Sequence, residues 1–335
     1  MDKLKILLTG ASGTVGKDVF NELLKRNDEY KVSLFLRGSK KNRKNFQKFI
    51  NTSTIYWGSL HNFNEVEQAV SGQDVIIHLA AVIPDIAMDN PELARKTNIE
   101  GTKNLVSAML KQDPTPKLIF TSSVAIYGDR LKNPIIKITD EIDVNTDEVY
   151  AQTKVQCEKM IKESGLIYSI FRLSYCVSTD IIKVRPLMYH MPLETSVEVI
   201  HTKDVATALV NAIKTDAVWG KTFNLAGGNT CQISFRENLN DLLEIMGFGR
   251  NFFPDEAFAK DNFHCGFYDS AEMEENQKLL NFQNHTLEDF YSEVKKWIGF
   301  KRHLIPLVRP ILRWLLLKKS SFYQEYKKRS KERMK

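Results

Sequence analysis

The stretch Leu4-Lys5-Ile6-Leu7-Leu8-Thr9-Gly10-Ala11-Ser12-Gly13-Thr14-Val15-Gly16 constrains this chain more than any other. An apolar run stops at Thr9, three glycines follow at 10, 13 and 16, and Val15, Val19, Phe20, Leu23 and Leu24 then recur at helical spacing. Strand, glycine turn and helix start are the elements that receive a pyrophosphate on backbone N–H groups and a helix dipole. One glycine serves the tight turn, one the close approach of a phosphate, and one the packing of helix on strand.

Alternation continues downstream. Strands read at Lys31–Leu36, Thr54–Trp57, Asp74–Leu79, Lys117–Thr121 and Ile167–Leu173, and helices at Thr14–Arg26, Asn62–Val70, Pro91–Lys111 and Asp147–Glu163. Asn90 is placed to cap the helix that opens with Pro91. Such alternation predicts an α/β protein built on a Rossmann-type, doubly wound parallel sheet. Beyond residue 173 the pattern is irregular: short strands at Val197–Ile200 and Thr222–Leu225, and helices at Thr202–Ile213, Phe235–Met246 and Leu287–Ile298. We therefore expect a nucleotide-binding domain over 1–173, a smaller mixed substrate lobe over 174–300 interleaved with it, and a basic amphipathic tail over 301–335.

The 335 residues can bury a large core. The four cysteines (Cys157, Cys176, Cys231, Cys265) are scattered without a paired spacing, which predicts reduced thiols, a cytoplasmic setting and no metal site. The short apolar start runs straight into the glycine turn and does not read as a signal peptide. Residues 301–335 carry 12 basic and 2 acidic side chains, against 35 and 39 in the rest. The body is mildly acidic, so a nucleic-acid-binding body is not expected, and the tail has a role of its own.

Tyr150 and Lys154 stand four apart on an expected helix and so share a face. A phenol titrates near pH ~10, and a neighbouring ammonium favours its phenolate. A half-buried tyrosine beside a solvated lysine is the plainer alternative. Upstream, Phe120-Thr121-Ser122-Ser123 ends a parallel strand in hydroxyl residues, where Ser123 can donate to a carbonyl oxygen as charge builds on it. A turn of small polar residues would look the same.

Taken in order, these features resemble the extended short-chain dehydrogenase/reductase superfamily, especially its NAD-dependent epimerase/dehydratase branch, over about residues 3–297. His78-Leu79-Ala80-Ala81, Asn98-Ile99-Glu100-Gly101-Thr102, Phe171-Arg172-Leu173 and His201-Thr202-Lys203-Asp204-Val205-Ala206 match further landmarks of that group. The resemblance implies that Tyr150 is the general acid/base, that Lys154 holds the nicotinamide ribose and tunes Tyr150, that Ser123 polarises the substrate carbonyl, and that Asn98 supports a proton relay. It implies cofactor contacts from Gly10, Ser12, Gly13, Thr14, Val15, Gly16, Arg37, Ser59, Leu60, Leu79, Ala80, Ala81 and Lys154. Family members often pair through two helices, here Asn90–Lys111 and Asp147–Glu163, which implies a homodimer.

Departures from the pattern refine these expectations. Ser59 stands where an aspartate near the adenine is frequent. The second strand ends in Leu36-Arg37 rather than an acid, and an arginine suits a ribose 2′-phosphate. NADP is therefore preferred over NAD, with Lys40, Lys41 and Arg43 nearby, although a solvated basic loop is the alternative. Val124-Ala125 replaces the Asp-Glu pair of the sugar 4,6-dehydratases, which argues against water elimination. The segment from Arg172 to His201 is shorter than in members that bind nucleotide-diphosphate sugars. Within it Arg185 is a candidate for an anionic substrate group.

The tail contains Leu304 to Leu317, 14 strongly apolar residues interrupted by two arginines and two prolines. A bilayer span takes ~20 apolar residues, so this stretch does not cross. Ile311, Leu312, Leu315, Phe322 and Tyr326 recur at helical spacing before a polybasic end. Residues 304–335 either lie in an anionic membrane surface on the inner face of a membrane or pack on protein. The sequence thus reads as a cytoplasmic oxidoreductase or epimerase moving hydride between nicotinamide and a carbinol or carbonyl carbon, either of a nucleotide sugar or of a less polar compound. A regulator that binds NADP(H) without turnover, or a membrane-tethered scaffold, is the competing class.

Overall fold

The computed structural model describes residues 2–333 except 146, 147, 183 and 262. In chain order its strands are β1 (Leu4–Thr9), β2 (Tyr30–Leu36), β3 (Thr54–Trp57), β4 (Val75–His78), β5 (Lys117–Ser123), β6 (Ile135–Ile136), β7 (Tyr168–Leu173), β8 (Tyr175–Val177), β9 (Ser196–His201), β10 (Lys221–Leu225), β11 (Gln232–Ser234) and β12 (Phe267–Tyr268). Ile6, Leu7 and Leu8 are wholly buried, as a strand must be when helices cover both faces of its sheet. Seven strands form that sheet in the order β10-β7-β5-β4-β1-β2-β3, and every pairing is parallel. This is the doubly wound sheet expected from the alternation. Leu8 faces Leu34 on one side and Ile77 on the other, so the strand order reverses between β1 and β4. Ligands of open α/β sheets bind in the crevice outside that reversal.

The strand period of two sorts the core into two layers. Ile6, Leu8, Leu34 and Ile77 pack with Val19, Phe20 and Leu23 of the helix Thr14–Lys25 and with Val205 and Leu209 of the helix Thr202–Ala212. Leu7, Ile76 and Leu118 pack on the other face with Val66, Leu105, Met109, Cys157 and Ile161 from three helices. A third cluster fills the second lobe, where β9 pairs antiparallel with β11 and parallel with β8, and β6 pairs with β12. β10 leaves this part of the chain to join the main sheet beside β7.

Several elements depart from expectation. The helix from Pro91 is capped by Asn90, whose side chain accepts from Leu93 N at 3.0 Å, but Arg95–Glu100 forms a widened π turn before the helix resumes over Gly101–Leu110. The basic stretch after Arg37, whose plainer reading is a solvated loop, is the helix Lys40–Phe46: Ser39 caps it, and Phe46 packs 6.2 Å from the ring of Phe20. The helices Pro84–Asp89 and Ser270–Leu280 are additional to those read from the sequence. The helix expected over Asp147–Glu163 runs from Val149 to Glu163, and Asp147 lies outside the described residues.

The tail forms two helices, Ile305–Leu317 and Ser321–Arg333, rather than one continuous periodic face. Ser320 divides them because its hydroxyl donates to Ala257 O at 2.6 Å and accepts from Tyr323 N at 3.0 Å. Leu312 and Phe322 turn towards the body, whereas Ile311, Leu315 and Tyr326 are exposed. Residues 334–335 lie outside the described residues. No helix among the described residues is long and apolar enough to cross a membrane.

Candidate active site

The turn after β1 is built for close approach. Gly10 sits at φ +79°, and a Cβ there would meet Ala80 N at 2.6 Å; one on Gly16 would meet Gly10 O at 2.1 Å. Gly13 caps the helix Thr14–Lys25 with no side chain, so the first-turn N–H groups of Thr14, Val15 and Gly16 remain open to an anion. Ser12 is exposed at the lip, and half-buried Leu79, Ala80 and Ala81 leave β4 directly opposite. Arg37 and Ser59 follow the adjacent strands β2 and β3, joined where Gly58 N donates to Leu36 O at 2.9 Å. Arg37 is exposed, whereas the Ser59 amide donates to Glu65 at 2.8 Å. Leu60 is buried against Gly101. These residues fit a dinucleotide: a side-chain-free cradle at the pyrophosphate position, and a strand edge that reaches outward from it. A cavity of about 160 Å³ opens beside the same helix start, lined in part by Thr14, Lys17, Ser178 and His201.

A buried polar chain, not singled out from the sequence, holds the turn to β4. Thr9 Oγ1 accepts from Ala80 N at 3.3 Å and meets His78 Nδ1 at 2.7 Å, while His78 Nε2 meets Thr102 Oγ1 at 3.1 Å. A neutral imidazole carries one ring proton, so His78 donates through one nitrogen and accepts through the other, and the two threonine hydroxyls can serve either tautomer. Burial, aided by the Lys154 charge, pushes His78 down to about 3, so it stays neutral. The unfolded chain binds this proton below pH ~6.5 and the folded chain does not, so acid favours unfolding. Stability should fall by about 1.4 kcal/mol per pH unit between the two values, and urea titrations of His78→Asn should lack that slope.

Ser123, Tyr150 and Lys154 come together at the carboxyl end of β5. Ser123 ends that strand, its Oγ accepts from Ala125 N at 3.2 Å, and its hydroxyl is near enough to the Tyr150 phenol to lower the phenol's pKa against burial. Tyr150 lies in the first turn of the helix Val149–Glu163 and packs on Val82, Ala87 and Ala94. Burial raises its phenol above the ordinary value, with Ser123 opposing. Lys154 is one turn on and buried; its ammonium donates to Thr121 O at 2.8 Å and stands 5.8 Å from the Tyr150 ring centroid. Burial pushes Lys154 down to about 8, against Cys157 and Glu158, which favour its charged form. The phenol is therefore contacted by Ser123, and the ammonium is held by the strand rather than by the phenol oxygen.

Asn98 stands behind these three residues. Its amide oxygen accepts from Val82 N at 2.7 Å, and its amide nitrogen donates to Val82 O at 3.1 Å and Thr153 Oγ1 at 2.9 Å. Its backbone oxygen accepts from Cys157 Sγ at 3.1 Å. The widened π turn thus clamps the loop after β4 to the helix of Tyr150. Arg185 is ion-paired with Asp85 on the helix whose Ala87 packs on Tyr150, so it is not a merely solvated loop arginine.

Arg172 was legible as a landmark but not in its partnership. Its guanidinium donates to both Glu158 oxygens at 3.0 and 2.8 Å and to Tyr127 OH at 2.6 Å, and Tyr127 OH donates to Asn224 at 2.8 Å. All four side chains are buried. Tyr150, Lys154 and Glu158 follow one another at four-residue steps, and that spacing on a helix was the available signal.

Residues 6–226 match the model of the NAD dependent epimerase/dehydratase family. The chain belongs to that family. D-erythronate dehydrogenase of Haemophilus influenzae is 27% identical over 162 residues, 48% of this chain and 50% of its own length. UDP-glucose 4-epimerase of Rickettsia prowazekii is 28% identical over 129 residues, 36% of this chain and 37% of its own. The chain thus spans half or less of the length of these relatives. Among solved structures, UDP-glucose 4-epimerase of Thermotoga maritima superposes with a TM-score of 0.71 at 20% identity, covering 90% of this chain and 100% of its own. dTDP-glucose 4,6-dehydratase of Bacillus anthracis gives 0.70 at 18%, covering 88% and 96%. At such identities the likeness speaks to the fold.

Proposed function

We propose that this member of the epimerase/dehydratase family is an NAD(P)-dependent oxidoreductase or epimerase acting at a carbinol or carbonyl carbon. The observation that carries the reading is the meeting of Ser123, Tyr150 and Lys154 beside the glycine cradle, at the crevice where the strand order reverses. A bound nicotinamide supplies a carbon able to accept or give hydride. The residues of the chain do the rest. Tyr150 moves the proton at the substrate oxygen, Ser123 donates to that oxygen as charge gathers on it, and Lys154 offers its ammonium to the ribose. Asn98 acts as a positioning residue, since its amide is committed to Val82 and Thr153. Val124 and Ala125 leave no carboxylate after Ser123, so water elimination is not proposed.

The exposed Arg37 at the end of β2 favours a 2′-phosphate, hence NADP. Arg37→Ala is expected to weaken NADP⁺ binding by about tenfold or more and to leave NAD⁺ unaffected, as isothermal titration would read. Equal losses for both would refute the assignment. The names of relatives make a nucleotide-linked sugar the first substrate class to test. Arg185 would meet its phosphate or another anion by exchanging Asp85 for it. Nucleotide binding falls to 1–173 and substrate binding to 174–300, in a cytoplasmic protein whose four thiols are unpaired and whose copies pair through the helices around Gly101–Leu110 and Val149–Glu163. The test is turnover: a panel of nucleotide sugars and simple carbonyl compounds, followed by nicotinamide absorbance and by product isomer analysis. Turnover that persists undiminished in Tyr150→Phe would take Tyr150 out of the chemistry, and turnover of none of these compounds would leave the binding-protein alternative.

A further inference from the structure

One face of the helix Ile305–Leu317 is docked and the opposite face is open. Ile305, Leu312 and Leu316 pack on the second lobe, and Leu317 is buried. Tyr189 OH donates to Leu316 O at 3.0 Å, and Lys319 Nζ donates to Val184 O at 3.2 Å, so the helix is fixed to the body. On the other side Leu304, Leu307, Val308, Ile311, Trp314 and Leu315 are 49, 79, 43, 61, 56 and 46% exposed. Their spacing puts them in a single stripe about 120° wide and roughly 17 Å long. Lys318 ends it, its ammonium 3.3 Å from the centroid of Trp314. Single exposed apolar residues are ordinary, but a continuous stripe of six marks an interaction surface.

Charge decides the occupant. Residues 301–324 carry six basic side chains and no acidic one, and the exposed helix Ser321–Arg333 adds five basic residues to two acids. Residues 1–300 are net negative by four. A second copy docked through the same stripe would bring two cationic helices together, as a two-fold contact joins like to like. An anionic lipid surface satisfies both features at once, an apolar face beside a polybasic segment. We propose that this stripe lies in the interface of an anionic bilayer, with the basic residues on lipid phosphates. The helix lies on the membrane without crossing it: 13 residues span about 20 Å, short of the ~30 Å hydrocarbon core. The acidic body is repelled by the same surface, so the tail sets the orientation.

The test uses the full chain with sedimented vesicles, either phosphatidylglycerol mixed with phosphatidylcholine or phosphatidylcholine alone. The anionic vesicles should capture the protein, with binding that weakens as salt rises, and the neutral ones should not. Ile311→Glu with Leu315→Glu, both on the exposed face, should reduce capture at least tenfold at unchanged melting temperature and unchanged dinucleotide binding. Absence of capture by anionic vesicles overturns the proposal. So does capture that the double variant leaves intact, or a dimer in sedimentation that the double variant splits while vesicles bind neither form.

Discussion

Tyr150→Phe should lower kcat by about 10²- to 10⁴-fold and leave dinucleotide affinity unchanged. The variant removes one oxygen from a ring that packs on Val82, Ala87 and Ala94, so the fold has no reason to respond. What is lost is the hydroxyl that faces Ser123 in the crevice. In the free protein that phenol is protonated at neutral pH, because burial raises it. It is therefore ready as an acid. To serve as a base it needs positive charge nearer than Lys154, whose ammonium is held by Thr121 O. The reducing direction should accordingly tolerate lower pH than the oxidising one, and Ser123→Ala should lose rate in both. Equal kcat for wild type and Tyr150→Phe would remove Tyr150 from the chemistry.

The second large effect is on stability. Glu158→Ala should cost about 3–5 kcal/mol, the usual penalty for leaving one charge of a buried pair uncompensated. Arg172 cannot deprotonate to escape, and only Tyr127 OH would remain beside its guanidinium. Removing Arg172 should be milder, since Lys162 at 3.1 Å can still neutralise Glu158. Burial by itself would raise the Glu158 carboxyl, but Arg172, helped by Ser122 and Lys162, holds the group below its ordinary 4.5. A folded value that is depressed gives stability present above pH 4.5 and lost as the pH falls through the folded value. Urea unfolding of both variants at neutral and acid pH measures this. A cost for Glu158→Ala no larger than for an exposed pair, about 0.2–1 kcal/mol, would refute the role given to the network. Glu158 shares its helix face with Tyr150 and Lys154, so the same pair sets the rotation of the helix that presents them to Ser123.

What the sequence made legible was local. The glycine turn, the parallel strands and the cap at Asn90 follow from periodicity and from residues that each need one backbone geometry, and the shared helix face of Tyr150 and Lys154 follows from their spacing. What escaped depends on contacts between distant segments. The helix Lys40–Phe46 exists because Ser39 caps it and Phe46 finds Phe20, yet its lysines read as solvated. Nothing in the sequence shows that the Asn98 amide also ties the loop after β4 to the helix of Tyr150 through Val82 and Thr153. Arg185 carried no sign of Asp85, a hundred residues away. In the tail, one periodic apolar pattern concealed two faces, one docked and one open, because the second lobe that covers Leu312 and Leu316 is assembled from far upstream.

The most direct measurement is to denature the purified protein, identify any released nucleotide, and titrate the refolded or stripped protein and Tyr150→Phe with NAD⁺, NADP⁺ and NADPH. Both proteins alike should bind a nicotinamide dinucleotide saturably, NADP(H) ahead of NAD⁺. Failure of all three dinucleotides to bind would contradict it at its base.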